Sequence, residues 1–291
     1  MALRKRRSPS GLDQEQQAAL RLLIASPKFE LIPLSGAAEK AEQLPHASTV
    51  TVTASPSHGI EATLDLAESL ADRGHIVVPH LSAHMIRDRA HLSEVIGRCR
   101  EAGLARAFVV GGDAKDKGEF HDGSMLLRAI DEHGHPFTEI GVPGYPDGHV
   151  DIASERLLKV LIAKQRYAHY MTTQMCFEPG AIVSWIVAMR AAGVTLPVHI
   201  GVPGVTELTK LMTISARIGV ADSARYLRKN KRMVGSLLTP GKFGPDSLLE
   251  GLGPALVDPD AKIEALHLFT FNQVQATVDW QQRMLASLDD E

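Results

Sequence analysis

Short apolar and β-branched runs alternate with amphipathic stretches along most of the chain. The runs predict strands and the amphipathic stretches predict helices, because a strand covered on both faces is apolar throughout whereas a surface helix is apolar on one side. We predict strands at residues 28–33, 49–53, 75–80, 105–110, 138–142, 170–177, 197–201 and 265–270. We predict helices at residues 12–25, 37–43, 59–72, 88–102, 124–132, 153–168, 181–192, 207–217 and 274–288.

Eight strand signals, most of them followed directly by a helix signal, are typical of the (β/α)8 TIM barrel, an α/β fold. We therefore assign residues 28–291 to a single β/α barrel catalytic domain and residues 1–27 to a basic tail and an added N-terminal helix. An open doubly wound sheet alternates the same elements and is the alternative fold. Before the last strand the alternation breaks: residues 221–236 predict another helix, and residues 239–259 a loop or lid that contains a short helix.

Composition narrows the class of protein without naming a function. The 291 residues are 44% hydrophobic, which suffices for one large core, and 31 basic against 34 acidic residues give no support for a nucleic-acid partner. The two cysteines, Cys99 and Cys176, have no disulfide or metal spacing. The basic run at residues 4–7 is followed by Ser8 and Pro9 instead of an apolar signal-peptide core. We predict a cytoplasmic protein with no membrane partner.

Common cofactor and metal motifs are absent from the sequence. No Gly-x-Gly-x-x-Gly follows the first predicted strand, and there is no Walker loop. Two histidine pairs, His80 with His84 and His133 with His135, lack the third ligand that a zinc site requires. We predict no bound metal.

Polar side chains stand at the ends of the predicted strands, and this pattern indicates an active site. The residues are Glu30, Thr53, His80, Asp113, Tyr145 and Gln174. In a β/α barrel the carboxyl ends of all eight strands converge on one face, where the loops form the catalytic site. We expect the run from Thr173 to Phe177 to be buried strand that delivers the amide of Gln174 into a substrate pocket.

Glu30 lies between Phe29 and Leu31 in a strand that we expect to be buried on both faces. A buried carboxylate is costly unless it is neutral or paired, so two interpretations are open. It is either a structural group bonded to the backbone or to an arginine, or a general acid whose proton affinity is raised by apolar surroundings. The glycines before Asp113 would let backbone N–H groups approach a flat ligand closely.

Taken together, these residues resemble a known family. The matching segments are Phe29-Glu30-Leu31-Ile32-Pro33, Thr53, Pro79-His80-Leu81-Ser82, Gly112-Asp113, Tyr145-Pro146-Asp147-Gly148-His149, Thr173-Gln174 and Phe269-Thr270-Phe271-Asn272. In this order and spacing they resemble the methylenetetrahydrofolate reductases over residues 28–288. The resemblance implies a β/α barrel that uses FAD to carry hydride from NADH or NADPH to 5,10-methylenetetrahydrofolate, giving 5-methyltetrahydrofolate.

The resemblance also implies roles for individual residues. Glu30 matches the family's catalytic glutamate, which supplies the proton that opens the imidazolidine ring to a 5-iminium cation. Asp113 matches an aspartate that hydrogen-bonds the pterin near the flavin, and it counts among the catalytic residues. Gln174 and Phe271 match substrate-binding positions. The implied cofactor contacts are Thr53, His80, Gly112, Tyr145, His149 and Lys164. Enzymes of this kind often self-associate, so we expect a homo-oligomer.

The sequence departs from the family on the side that would contact FAD. Gly111 replaces an arginine, Gln273 replaces another, and no tyrosine is present at residues 122–123. Lys164 and Arg166 supply positive charge for the diphosphate only if the alignment is shifted. Two alternatives therefore accompany the flavoenzyme: a reductase of the same substrate that works without flavin, and a non-catalytic folate-binding partner subunit.

Overall fold

The protein forms a closed barrel of eight parallel strands in a computed structural model that describes residues 11–114, 117–217 and 242–289. The barrel strands are β1 (Lys28–Leu31), β2 (Thr49–Val52), β3 (Ile76–Ser82), β4 (Arg106–Val110), β5 (Glu139–Gly144), β6 (Tyr170–Thr173), β7 (Val198–Pro203) and β10 (Ile263–Phe269). Two short strands, β8 (Thr206–Glu207) and β9 (Lys242–Phe243), form a separate antiparallel pair. Because β10 pairs with both β7 and β1, the sheet closes. The predicted TIM barrel is confirmed, and the open sheet is wrong.

Helices cover the outside of the barrel. They are α1 (Gln14–Ala25), α2 (Ala37–Ala41), α3 (Gly59–Asp72), α4 (Arg89–Glu101), α5 (Gly123–His133), α6 (Ser154–Lys164), α7 (Pro179–Ala191), α8 (Leu208–Arg217), α9 (Asp246–Gly251), α10 (Gly253–Leu256) and α11 (Val274–Asp289). The side chains of Asp13, Asp88 and Asp122 accept backbone N–H bonds at the starts of α1, α4 and α5, as N-cap residues do. The predicted added helix is α1, which packs against α11 and α10.

Two predicted element ends are wrong by four residues each, and the predicted lid differs in its helices. Strand β6 ends at Thr173, not at residue 177, because the side-chain oxygen of Gln174 accepts the next backbone N–H, from Met175, at 2.8 Å. That local bond takes the place of a ladder bond and turns the chain away from the sheet. Helix α6 ends at Lys164, not at residue 168. The predicted lid contains two short helices, α9 and α10, in its described part.

Two of the sequence predictions concern residues outside the described part of the chain. They are the basic tail at residues 1–10 and the helix at residues 221–236. Within the described ranges, every helix is too short or too polar to cross a membrane.

Side chains of β1 alternate between two different interiors. Phe29 and Leu31 are buried in the apolar layer between the strands and the helices, whereas Lys28 and Glu30 point into the barrel. This is the alternation expected of a barrel strand, whose successive side chains face opposite sides of the sheet. The apolar side chains Val78, Phe108 and Tyr170 form a separate small cluster inside the barrel.

Charged residues close the amino-terminal end of the barrel. Lys28, Arg106 and Glu139 each begin a strand, so they lie at the same end. The ammonium of Lys28 is 2.9 Å from one carboxylate oxygen of Glu139, and Arg106 Nε is 3.1 Å from the other. Lys28 also lies over the ring of Tyr170, 3.8 Å from its centroid. Burial lowers the pKa of Lys28, and the bond to Glu139 opposes this shift. We call Lys28, Arg106 and Glu139 the floor.

Candidate active site

Glu30, the third residue of β1, lies inside the barrel with its side chain 14% exposed. One of its carboxyl oxygens, Oε2, is 3.0 Å from Nε2 of His267 on β10. His267 is itself buried, with 2% of its surface exposed. Glu30 therefore meets a histidine, and neither the backbone nor an arginine bonds its carboxyl group among the described residues.

The turn that follows β10 holds the backbone of β1 on both sides of Leu31. Thr270 Oγ1 donates a hydrogen bond to the carbonyl of Glu30 at 2.5 Å. Asn272 accepts a bond from the N–H of Ile32 at 2.9 Å and donates one to its carbonyl at 3.0 Å. These three bonds fix the position from which the Glu30 side chain extends.

Phe271, between these two residues, is in the left-handed region with φ 50°, and Asn272 has φ 57°. Asparagine tolerates this conformation, but phenylalanine adopts it rarely, and such outliers cluster at functional sites. The ring of Phe271 packs with Met175, Phe177 and Leu211. Phe271, which is predicted to bind substrate, therefore lies beside the segment that follows Gln174.

Gln174 directly follows β6 and is half-buried. Its backbone N–H donates to the carbonyl of Gly144 at 2.7 Å, and its side-chain oxygen is used by Met175. The amide NH2 group makes no hydrogen bond within the described ranges. The side chain thus offers two N–H donors to a ligand.

Gly112 and Asp113 follow β4 and lie against the end of β3. Gly112 has φ +95°, and a Cβ there would overlap the hydroxyl of Ser82, so glycine is required on both counts. The carbonyl of Gly111 accepts the N–H of His84 at 3.0 Å, which anchors this turn. Asp113 is exposed. Its carboxylate is available to a ligand at the mouth of the barrel.

Tyr145 lies near Asp113, although the two residues follow different strands. Burial raises the pKa of Tyr145 to about 12, and the negative charge of Asp113 adds to the shift. The ring of His149 contacts that of Tyr145 edge-on, with 5.4 Å between centroids. Thr53, just after β2, donates its N–H to the carbonyl of Leu31 at 2.9 Å. Predicted residues from β2, β4 and β5 therefore surround the carboxyl end of the barrel.

Comparisons with known proteins give the family of the chain. The family model described as methylenetetrahydrofolate reductase matches residues 25–222, more than half of the chain. The chain belongs to the methylenetetrahydrofolate reductase family. A curated relative, methylenetetrahydrofolate reductase 1 of Schizosaccharomyces pombe (strain 972 / ATCC 24843), is 28% identical over 216 residues, or 69% of this chain. The match covers 34% of that relative, so the chain spans about a third of its length.

Solved structures with a similar chain trace have low sequence identity to this protein. A structure described as that of a lyase/mutase from Burkholderia cenocepacia J2315 has a TM-score of 0.48 at 14% identity, covering 96% of this chain and 90% of that one. A phosphonopyruvate hydrolase in complex with oxalate and Mg²⁺ has a TM-score of 0.47 at 9% identity, covering 94% and 87%.

Two of the residues that we predicted to contact the cofactor are buried. His80 is 8% exposed, its ring centroid is 4.7 Å from that of Phe108, and its Nε2 has no partner within the described ranges. Burial lowers the pKa of His80 to about 4, against the opposing effect of Glu30. At neutral pH His80 is therefore a neutral imidazole inside the barrel, near Glu30.

Lys164 is the second enclosed contact, with 6% of its surface exposed. Its Nζ is 3.1 Å from the position that a Cβ on Gly123 would occupy, at the start of α5. Burial lowers the pKa of Lys164 to about 8, although Asp122 opposes the shift. The ammonium group thus lies between α5 and α6. Its surface is therefore almost entirely closed to solvent.

The fit of FAD to these residues is therefore uneven. Thr53, Gly112, Tyr145 and His149 are half-buried at strand ends, so part of each surface is open to a ligand. Lys164, the cation that we expected at the diphosphate, is turned inward. Within the described ranges there is also no group of three or more metal-ligating side chains arranged around a common point.

Sequence reasoning missed His267, the residue in direct contact with Glu30. It lies in the middle of an apolar run, Ala265-Leu266-His267-Leu268-Phe269. The signal was available, because a polar residue between two apolar ones in a barrel strand faces the barrel interior, and the same pattern singled out Glu30.

Proposed function

We propose that this protein reduces 5,10-methylenetetrahydrofolate to 5-methyltetrahydrofolate with hydride from NADH or NADPH, and that Glu30 is the general acid. The observation that carries the proposal is the carboxyl group of Glu30, which is 14% exposed and held inside the barrel of a member of the methylenetetrahydrofolate reductase family. A carboxyl group in this position can act as the proton donor that the first step requires.

The reaction needs a proton before it needs hydride. The O–H proton of Glu30 passes to a nitrogen of the imidazolidine ring, the carbon–nitrogen bond at that nitrogen breaks, and a 5-iminium cation forms. Hydride then adds to the iminium carbon and gives the methyl group. The proton, the hydride and the electron pair left on nitrogen are all accounted for, with Glu30 left as a carboxylate.

The other residues orient the folate. Gln174 offers its free amide N–H groups to the pterin, Asp113 accepts hydrogen bonds from it, and the ring of Phe271 packs against the substrate. Holding the reacting groups in one geometry replaces a bimolecular encounter and contributes much of the rate. These roles rest on the family resemblance together with the positions of the residues at one end of the barrel.

FAD, when bound, would accept hydride from the pyridine nucleotide and pass it to the folate. Thr53, His80, Gly112, Tyr145, His149 and Lys164 are the residues that would hold it, as the family resemblance implies. The enclosed position of Lys164 favours a second candidate, in which the pyridine nucleotide gives hydride directly to the iminium carbon.

Two measurements on purified protein separate these candidates. A visible absorbance spectrum with flavin bands supports the FAD route, whereas a colourless, active preparation supports direct transfer. With NADH that carries deuterium at both C4 positions, direct transfer places deuterium in the methyl group of the product. A reduced flavin exchanges its hydrogen with water, so the flavin route loses the label.

A protein that binds 5,10-methylenetetrahydrofolate but forms no product with either pyridine nucleotide, with or without added FAD, would contradict the reductase proposal. That result would instead support a non-catalytic folate-binding subunit.

A further inference from the structure

The backbone pairing between β1 and β10 ends at Glu30, which is opposite Phe269. Beyond this point, side chains of the turn after β10 continue the pairing. Thr270 Oγ1 donates to the carbonyl of Glu30 at 2.5 Å. The side-chain amide of Asn272 then bonds Ile32, two residues further along the chain. Side chains therefore hold the carboxyl end of β1 where the ladder would otherwise leave backbone polar groups without partners.

Asn272 pairs with Ile32 as a strand residue would. Its side-chain oxygen accepts the N–H of Ile32 at 2.9 Å, and its NH2 group donates to the carbonyl of the same residue at 3.0 Å. We call these two bonds the clamp. Asn272 is 6% exposed, so water does not readily take over either bond. An ionised aspartate could only accept and an apolar residue could do neither, so the clamp requires an amide.

The turn that carries the clamp has a conformation that few residues adopt. Phe271 and Asn272 are consecutive and have φ 50° and 57°. The left-handed region costs energy for residues other than glycine, so the surrounding contacts must hold it. The N–H of Asn272 donates to Thr270 Oγ1 at 3.1 Å. Lys210 Nζ, on α8, donates to the carbonyl of Phe271 at 3.3 Å. Because the Thr270 hydroxyl also bonds Glu30, the turn and β1 form one hydrogen-bonded unit.

The placement of Glu30 depends on how the end of β1 is held. The side chain of Glu30 is 14% exposed inside the barrel, and its Oε2 is 3.0 Å from Nε2 of His267. On the other side of β1, the carbonyl of Leu31 accepts the N–H of Thr53 at 2.9 Å. The strand itself ends at Leu31. A shift of the chain at Ile32 would therefore move the carboxyl group relative to a ligand at the mouth of the barrel.

We propose that Asn272 is a positioning residue for the reduction, because it fixes the backbone just beyond Glu30 and with it the point at which the acid meets the folate. Asn272 acts through Glu30 and transfers no proton itself. The inference rests on the proposed function, in which Glu30 is the general acid, and adds the residue that sets where this acid lies. Reacting groups must be aligned to within about 1 Å, so loss of the clamp should slow ring opening more than it weakens folate binding.

Asn272→Gly separates the clamp from the conformation of the turn. Glycine adopts a φ of 57° without strain but has no amide to pair with Ile32. At saturating 5,10-methylenetetrahydrofolate, the single-turnover rate should fall on the order of tenfold or more, because a misplacement of about 1 Å can cost about a hundredfold. KM for folate should stay within about threefold of wild type, less than the effect of one net hydrogen bond. A rate equal to that of wild type would show that Asn272 serves only the turn conformation, and would overturn the proposal.

A double-mutant cycle gives a readout that a merely structural role would not produce. If Asn272 acts through Glu30, Asn272→Gly should slow wild type but change the residual rate of Glu30→Gln by less than about twofold. An equal fold loss in both backgrounds would mean that the two residues act independently, which contradicts the proposal. Gln281→Ala is the matched control, because Gln281 is also a buried amide that donates to a backbone carbonyl, that of Ile24 at 2.8 Å. It should lose stability and keep the single-turnover rate of wild type.

If wild type forms no 5-methyltetrahydrofolate, the proposed function fails, and the clamp is then tested without substrate. Hydrogen exchange of the Ile32 amide, measured by NMR, reports on its bond to Asn272. Exchange should be about tenfold faster in Asn272→Gly than in wild type, the scale of one lost hydrogen bond, and unchanged in Gln281→Ala. Equal exchange in wild type and Asn272→Gly would contradict the clamp on which the inference depends.

Discussion

The floor of the barrel and its opposite end, which we call the mouth, hold their polar groups in different ways, although β1 contributes to both. At the floor, Lys28 and Arg106 flank Glu139 at 2.9 and 3.1 Å, so opposite charges meet. Two residues further along β1, the carboxyl group of Glu30 meets an imidazole, and the nearby His80 Nε2 has no partner within the described ranges. An ion pair is costly to break from one side because a charge is left uncompensated, whereas a buried imidazole with a strongly lowered pKa, such as His80, marks a candidate functional site.

Removing the central charge of the floor should have the largest effect on stability. Glu139→Gln leaves Lys28 and Arg106 without their carboxylate, and breaking a buried ion pair from one side costs about 3 kcal/mol or more. We expect that loss in the free energy of unfolding measured with urea. The control is Glu42→Gln, whose partner Arg73 lies at 3.1 Å on the surface and whose change should cost under about 1 kcal/mol. Equal losses of unfolding free energy in the two variants would show that the floor contributes no more to stability than an exposed ion pair does.

Acid should lower the free energy of unfolding through His80, which lies inside the barrel. Its pKa falls from 6.5 in the unfolded chain to about 4 in the folded protein. The unfolded chain therefore binds a proton first as the pH falls, so stability present above pH 6.5 is lost progressively down to about pH 4. We expect His80 to contribute on the order of 3 kcal/mol to this loss, as its shift implies.

Urea unfolding at several pH values in this window checks the expectation. His80→Leu should flatten the pH dependence, while His133→Gln at the exposed end of α5 should leave it unchanged. A His80→Leu variant with the full acid sensitivity of wild type would assign the effect to other groups.

The smallest effect should follow removal of a neutral side chain, the amide of Gln174, at the mouth of the barrel. Gln174→Ala removes two free N–H donors, so KM for folate should rise about threefold to tenfold, the range of one or two net hydrogen bonds. The free energy of unfolding should change little. Gln165→Ala is the matched control, because Gln165 bonds the backbone of Gly193 and Thr195 away from the barrel mouth. A normal KM for Gln174→Ala would remove this residue from the substrate site.

Much of the barrel could be predicted because local patterns decide it. Strands that are apolar on the outside, and helices such as α3 that end at a glycine, carry their signal within a few residues. The end of β6 could not be found in this way, since Gln174 turns the chain by bonding its own neighbour. A side-chain bond of that kind competes with the ladder and leaves no periodic signal.

The site was predictable where a polar residue interrupts an apolar strand, as Glu30 does. The residue that meets it was not, because His267 is distant in sequence and becomes its neighbour only when the barrel closes between β10 and β1. The position of Lys164 was unpredictable for a related reason. Its burial between α5 and α6 depends on how two helices pack, and the sequence alone shows a basic residue near the end of an amphipathic helix.

We propose that Glu30 gives the proton that opens the folate ring for reduction. Measuring product formation tests this role of Glu30 most directly. Wild type and Glu30→Gln are each incubated with 5,10-methylenetetrahydrofolate and NADH or NADPH, and 5-methyltetrahydrofolate is quantified by mass spectrometry. We predict that wild type forms the product, and that Glu30→Gln, with an unchanged circular dichroism spectrum, forms it about a hundredfold more slowly or less. A Glu30→Gln variant as fast as wild type would contradict the account.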